Sequence, residues 1–248
     1  MQMLLSRVRR CVEDYDMIKT GDRIAVGVSA GKDSLSLLWA LANLKRFYPQ
    51  RFDLEAVTID MGFEGMDMSG VEDFCRLLGV RYTVIKTQIK QIVFDIREET
   101  NPCSLCAKLR RGALNDAALQ LGCGKVALGH HFDDAVETFL LCLLFEGRLS
   151  CFSPVTFLDR RSITAIRPLL YAEEHMLRAA SRKLSLPVVA STCPVNGGTK
   201  RQEVKELARE LEQRYPDLRK KIFTSMQTLP LSGWKPLPPR KREKSRAD

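Results

Sequence analysis

Three short segments of this chain carry residues whose types and spacing suit chemistry. The first is Ser29-Ala30-Gly31-Lys32-Asp33-Ser34. Small side chains let backbone N–H groups close on an anion, and the two serines add hydroxyl donors. A helix starting here would turn its positive end toward the loop. Phosphate or pyrophosphate is the matching ligand, although the Gly-x4-Gly-Lys-Ser/Thr spacing of a Walker loop is absent. A plain strand-to-helix turn with ordinary caps is the alternative. The second is Gly129-His130-His131-x-Asp133-Asp134. Asp133 and Glu137 are four apart and share a helix face. Carboxylates at a helix start can hold Mg²⁺ beside phosphates, or simply cap the helix. Adjacent histidines suit a shared zinc ion badly and read as loop-positioning residues. The third is Cys103-x-x-Cys106, on one face of a helix start, followed by Lys108, Arg110 and Arg111. Such surroundings stabilise thiolate. A redox dithiol, half a zinc site and part of an iron–sulfur cluster all fit the pair.

These segments need elements to position them. Residues 1–20 read as an amphipathic helix with Leu4, Val8, Cys11 and Val12 on one side. Apolar runs at 23–29, 52–59, 81–85, 125–128 and 186–190 read as strands, several apolar throughout, as buried parallel strands are. Helical patterns occupy 34–47, 71–78, 102–121, 132–145, 173–184, 203–213 and 217–226, with Asn101 as N-cap and Pro102 at the first helical position of the third. Trp39 and Phe47 fit core positions of the first of these helices. Residues 155–166 suggest a hairpin turning at Asp159-Arg160-Arg161, and Asn196-Gly197-Gly198 a turn. Strands alternating with helices predict an α/β fold, a doubly wound parallel sheet of Rossmann-like type with flanking helices. In such sheets ligands bind beyond the carboxyl ends of the strands, which singles out the loops at 29–34, 60–69 and 129–134. The expected organisation is an N-terminal helix at 1–20, one α/β domain at 21–228, and a basic, disordered tail at 229–248.

The 248 residues are 45% hydrophobic and 28% charged, which excludes a disordered chain, a collagen and a disulfide knot. The longest apolar run, 139–145, is too short for a membrane span, and the opening residues lack the apolar core of a secretory signal. A cytoplasmic protein with no membrane association is the expectation, so its eight cysteines are expected to be reduced. Cys11, Cys75, Cys123, Cys142 and Cys151 fit no motif and read as small buried hydrophobes. The net charge is +9, and residues 235–248 hold six Lys or Arg against two acids. That balance suits a polyanion such as nucleic acid, or a solvated, mildly basic surface.

The motifs together resemble a known family. The 29–34 loop is similar to the pyrophosphate (PP) loop, Ser-Gly-Gly-x-Asp-Ser, of the N-type ATP pyrophosphatases, with Ala30 standing where glycine is usual. Alanine tolerates positive φ poorly, so a loop that needs it there would be reshaped or would bind pyrophosphate more weakly. Gly-His-x-x-Asp-Asp resembles the second signature of the PP-loop enzymes that thiolate tRNA. Cys103-Ser104-Leu105-Cys106, with Leu109-Arg110-Arg111-Gly112, closely resembles the central motif of the TtcA family of tRNA 2-thiocytidine synthetases. Asp16-Met17-Ile18, Arg167-Pro168-Leu169, Cys193 ahead of Arg201-Gln202, Arg214-Tyr215-Pro216 and Phe223-x-x-Met226-Gln227 match in order, so the resemblance spans about residues 10–228.

The resemblance implies a specific chemistry. ATP would bind at Ser29, Ala30, Gly31, Lys32, Asp33 and Ser34, with Gly129, Ile59 and Asp60 lining the nucleotide and Mg²⁺ held by Asp33 or Asp133. A [4Fe–4S] cluster would be held by Cys103, Cys106 and Cys193, with one iron open to sulfide. Arg110, one turn past Cys106, would reach a phosphate near the cluster or stay solvated; Asp60 would touch the nucleotide or cap its loop. Asp33, Asp133 and the three cysteines are the candidate catalytic residues. The implied partners are tRNA and a sulfur donor, either a cysteine desulfurase or free sulfide; a homodimer is one candidate assembly. The implied reaction is thiolation of a cytidine in the anticodon loop. The rivals are another PP-loop sulfurtransferase, acting on uridine or a small molecule, and a non-catalytic metal-binding RNA module.

Overall fold

In the computed structural model, residues 1–97, 102–190, 192–193, 200–228 and 233–234 are described. Asn101, the 196–198 turn and residues 235–248 lie outside them.

Six strands form one sheet in the order β3-β2-β1-β4-β6-β5: β1 Asp22–Gly27, β2 Phe52–Asp60, β3 Arg81–Lys86, β4 Lys125–Ala127, β5 Val155–Leu158 and β6 Ile163–Ile166. All pairings are parallel except β5 with β6, which form the expected hairpin around a 3₁₀ turn at Asp159–Arg161. Alternate residues of the central strands face two separate cores. Ile24, Val26, Leu54, Ala56 and Ala127 join one; Ala25, Val57 and Val126 join the other. Burial on both faces explains why these strands read as continuous apolar runs.

Among the described residues eight α-helices cover the sheet: α1 Gln2–Asp14, α2 Lys32–Leu44, α3 Ser69–Leu78, α4 Pro102–Gln120, α5 Phe132–Glu146, α6 Glu174–Lys183, α7 Lys200–Arg214 and α8 Leu218–Thr228. The larger core lies under α1, α2, α5 and the C-terminal helices. The smaller one lies under α4, which presents Leu114, Ala117 and Ala118. A Cβ added at Gly27 would come within 2.8 Å of Leu114 Cδ2, so glycine there lets α4 sit close to β1. No helix among the described residues is long and apolar enough to cross a membrane.

The structure corrects three expectations. Residues 186–190 form no strand: Pro187 has no N–H to give a ladder, and the segment's link to the phosphate loop is one bond from Val189 N–H to Ala30 O at 3.0 Å. The segment between β3 and α4, to which no element was assigned from sequence, contains a π-helical turn, Gln91–Ile96, a rare form. Helix α2 ends at Leu44, which leaves Phe47 54% exposed rather than in the core. Trp234, assigned from sequence to the tail, is 1% exposed and packs on Phe223 and Phe152. Among the unassigned cysteines, Cys11, Cys75, Cys123 and Cys142 are buried as expected, and Cys151 is half-buried with its thiol on Ala135 O.

Candidate active site

Sheet order reverses between β1 and β4. The two strands leave in parallel, and their following loops, 28–31 and 128–131, meet where the sheet splits to feed α2 and α5. Gly129 makes the meeting possible: a Cβ there would lie 3.2 Å from Ser34 N and 3.3 Å from Asp33 C. The two motifs are thus one site.

The phosphate loop is cross-braced by its own serines. Ser34 Oγ accepts from Ser29 N–H (3.1 Å), contacts Ser29 Oγ (3.2 Å) and donates to Gly31 O (3.0 Å). Thr58 Oγ1 donates to Val28 O, and Tyr82 OH bonds to Thr58 Oγ1, which pins the loop's start to β2 and β3. Gly31 is the N-cap of α2 with ordinary extended backbone, φ −82°. Ala30 instead takes φ +58° and is fully buried. This left-handed position, which favours glycine, is carried by alanine under strain. Ala30→Gly should relieve this strain and raise stability by about 1 kcal/mol, seen as a melting temperature about 2–4 °C higher. An unchanged or lower melting temperature would mean that Ala30 is unstrained.

The charged side chains divide sharply. Lys32 Nζ bonds Asp33 Oδ2 at 3.0 Å, whereas Asp33 Oδ1 is buried with no hydrogen-bond partner. Asp133 is spent: Oδ2 accepts from Glu174 N–H at 2.7 Å, and Oδ1 pairs with the Arg219 guanidinium. Asp33 Oδ1 therefore keeps unspent hydrogen-bonding capacity, with the His131 ring 4.0 Å away, and Asp133 ties α5 to α6 and α8. His131 is buried; its N–H donates to Asp134 Oδ2 (3.0 Å), and its ring lies between Asp134 and Asp133. His130 stacks on Phe152 at 4.8 Å, and burial and nearby Arg167 push its pKa down to about 4. Both histidines act as loop-positioning residues, as read from sequence.

Asp60 caps its own loop: Oδ1 accepts from Gly62 N–H (2.9 Å), and its carbonyl accepts from Thr87 N–H and Oγ1. Val57 O accepts from Val28 N–H on the β1 side and Asp60 O from Thr87 on the β3 side. Strand alternation then turns the Ile59 backbone toward β1, past the end of that strand.

Glu137, one turn beyond Asp133, is 3% exposed with Oε1 unpartnered. Burial raises its pKa to about 7, against the opposing pull of Lys205. A carboxyl whose folded pKa lies above its unfolded one, near 4.5, binds its proton more tightly when folded. Its contribution to stability is complete below that unfolded value and is lost as pH rises through 7. Glu137→Gln should therefore flatten the stability–pH curve between about 4.5 and 7, as followed by denaturant midpoint. A wild-type curve already flat there would contradict the shift.

Cys103 is exposed and Cys106 half-buried at the start of α4, and Cys193 is half-buried. The charges of Arg110, Cys193 and Cys103 all act on the Cys106 thiol, so the fold draws Cys193 toward the pair across 86 intervening positions of sequence. The sequence expectation of a stabilised Cys106 thiolate is reversed in the ligand-free protein: burial raises its pKa, and Arg110 only partly opposes this. Among the described residues no three His, Cys, Asp or Glu are grouped tightly enough for a single metal ion. A cluster places different cysteines on different irons, so three soft, reduced thiols suit its donor chemistry. Cys106 Sγ also touches Met61 Sδ at 3.7 Å. Met61 lines a cavity of about 250 Å³ with Gly62, Thr87, Gln88, Lys90 and Gln91. Sequence reasoning missed Glu174, Arg219 and this cavity; none carries a motif, and an acid in a helix's first turn is too common to be a signal.

A serine-braced anion loop at the switch point of a doubly wound sheet defines a PP-loop protein, and the family described as the PP-loop domain matches residues 3–185. The tRNA-cytidine(32) 2-sulfurtransferase of Pelobacter propionicus is 43% identical over 225 residues, spanning 90% of this chain and 84% of that protein. The protein of that name from Geobacter sulfurreducens is 41% identical, spanning 88% and 86%. With these relatives the chain belongs to the TtcA family of PP-loop enzymes. The U34-tRNA thiolase NcsA from Methanococcus maripaludis, solved with its [4Fe-4S] cluster, superposes with a TM-score of 0.72 over 90% of this chain and 77% of that one. At 24% identity this establishes a shared fold.

Proposed function

We propose that this chain is an ATP-dependent tRNA sulfurtransferase that replaces the C2 oxygen of cytidine 32, in the anticodon loop, with sulfur. The observation that carries the reading is the match, over nine-tenths of the chain, to tRNA-cytidine(32) 2-sulfurtransferases. The anion loop and the three-thiol mouth supply the two halves of the chemistry.

The 29–34 loop and Lys32 take the β- and γ-phosphates of ATP, and the Ile59 backbone meets the adenine. Asp33 Oδ1, buried and unpartnered, is the oxygen for Mg²⁺. The C2 oxygen of the base attacks the α-phosphorus, and pyrophosphate leaves into the loop. A poor leaving group has now become AMP. A sulfur nucleophile adds at C2, the C–O bond breaks, and AMP departs with the original oxygen. Cys103, Cys106 and Cys193 would hold a [4Fe–4S] cluster, which supplies sulfur-carrying, Lewis-acid chemistry when bound. Arg110 balances the negative charge of that mouth, and the net +9 of the chain suits the tRNA backbone. Sulfur would come from a cysteine desulfurase or free sulfide. The enzyme would work in the cytoplasm, with a homodimer as the candidate assembly.

The test uses the full chain, handled without oxygen, with tRNA, ATP, Mg²⁺ and sulfide, followed by mass spectrometry of the digested nucleosides. 2-Thiocytidine with release of pyrophosphate and AMP is the expected product. Thiouridine would move the protein to another PP-loop branch. No thiolation with an intact cluster would favour a binding module.

A further inference from the structure

The carboxylate of Glu174, at the start of α6, lies against the lysine of the 29–34 loop without belonging to any motif. Oε1 pairs with Lys32 Nζ at 3.3 Å and Lys205 Nζ at 3.1 Å, and Oε2 with Arg178 at 2.9 Å. Its backbone N–H donates to Asp133 Oδ2 at 2.7 Å. The side chain is 13% exposed. Burial opposes its charge, but Arg178, Lys205 and Lys32 outweigh it and hold its pKa near 2. It is a permanently ionised group.

Lys32 is the loop's cation, on a flexible stem with many rotamers. Two carboxylates hold it from different directions, Asp33 from its own helix and Glu174 from α6. An ammonium fixed in that way costs less entropy to engage phosphate. Lys205 on α7 shares the same Oε1, and α7 follows the segment that carries Cys193. One oxygen thus joins the phosphate loop to the helix leading away from the thiol mouth. Arg219 on α8 completes the arrangement through Asp133.

We infer that Glu174 is a positioning residue for ATP: it orients Lys32 toward the phosphates and, through Lys205, registers α7 against the loop. The inference deepens the proposed function and rests on ATP being the nucleotide. Glu174→Gln keeps size and most hydrogen-bonding capacity but removes the charge. Calorimetric titration of the full chain with Mg·ATP should show binding about tenfold weaker than wild type, with KM for ATP rising in parallel and kcat at saturation within about twofold. Lys205→Met leaves Lys32 and Glu174 in place and should weaken binding in the same direction by about threefold. Unchanged ATP affinity with a lower melting temperature and kcat would reduce Glu174 to a structural support and overturn the inference. Tighter ATP binding would also overturn it, because Glu174 would then be competing with phosphate for Lys32. Wild-type protein that binds no ATP would instead sink the ATP reading itself.

Discussion

Cys103→Ser protein should lose tRNA thiolation completely while binding Mg·ATP with a Kd within about twofold of wild type. The reason lies in where the parts are built. In the proposed function ATP meets the loops leaving β1 and β4 and the start of α2, whereas the thiols sit at the N-terminus of α4 and at Cys193, beyond α6. Serine is a harder and poorer ligand for cluster iron than a thiolate, yet Cys103 is exposed, so its loss leaves the folded core intact. Visible absorption and iron and sulfide analysis give the second readout. Wild-type protein should hold about four irons and four sulfides per chain, and Cys103→Ser and Cys193→Ser should both lose them. Equal loss of thiolation and ATP binding would refute the division of labour. One tightly held zinc and no iron would make the cysteines structural.

The second large effect concerns stability. Trp234→Ala should destabilise the protein by about 3–5 kcal/mol, lowering the melting temperature by about 2–4 °C for each of them. The ring is buried against Phe223 at 5.4 Å and Phe152 at 6.5 Å, and Tyr15 OH donates to the Trp234 carbonyl. Phe223 in turn stacks on Phe132, the first residue of α5 and the neighbour of Asp133. The mutation should therefore loosen α8, and with it the Arg219–Asp133 pair, so ATP affinity should fall as well. Trp234→Phe should recover most of both. A melting temperature within about 2 °C of wild type for Trp234→Ala would show that this residue is not part of the core.

Much of this protein was legible in its residues because the relevant signals are local. Apolar runs of strand length marked β1, β2, β3 and β4, since a strand covered on both faces has no polar side to alternate. The hairpin was visible from its charged turn at 159–161. The phosphate loop was visible from small residues between strand and helix, and the cysteine pair from its spacing. The errors were also local readings, overruled by contacts from afar. Residues 186–190 have strand-like composition but lie across the phosphate loop, where Pro187 offers no donor. Trp234 sits in a stretch of tail-like composition, but it fills a space bounded by α8 and by Tyr15 at the opposite end of the chain.

Composition and order alone determined the kind of sheet, the loop for anions and the thiols available to a cluster. Only the tertiary structure decided which acid is free and which is spent. Asp33 and Asp133 look equivalent as sequence, each near the start of a helix after a strand. Arg219, 86 residues beyond Asp133, and the Glu174 N–H saturate Asp133, while one oxygen of Asp33 stays without a hydrogen bond. The strain at Ala30 was decided in the same way, by a φ that the packing of two loops imposes. Pairing over such separations depends on how helices dock on the two faces of the sheet, and no window of neighbouring residues contains that information.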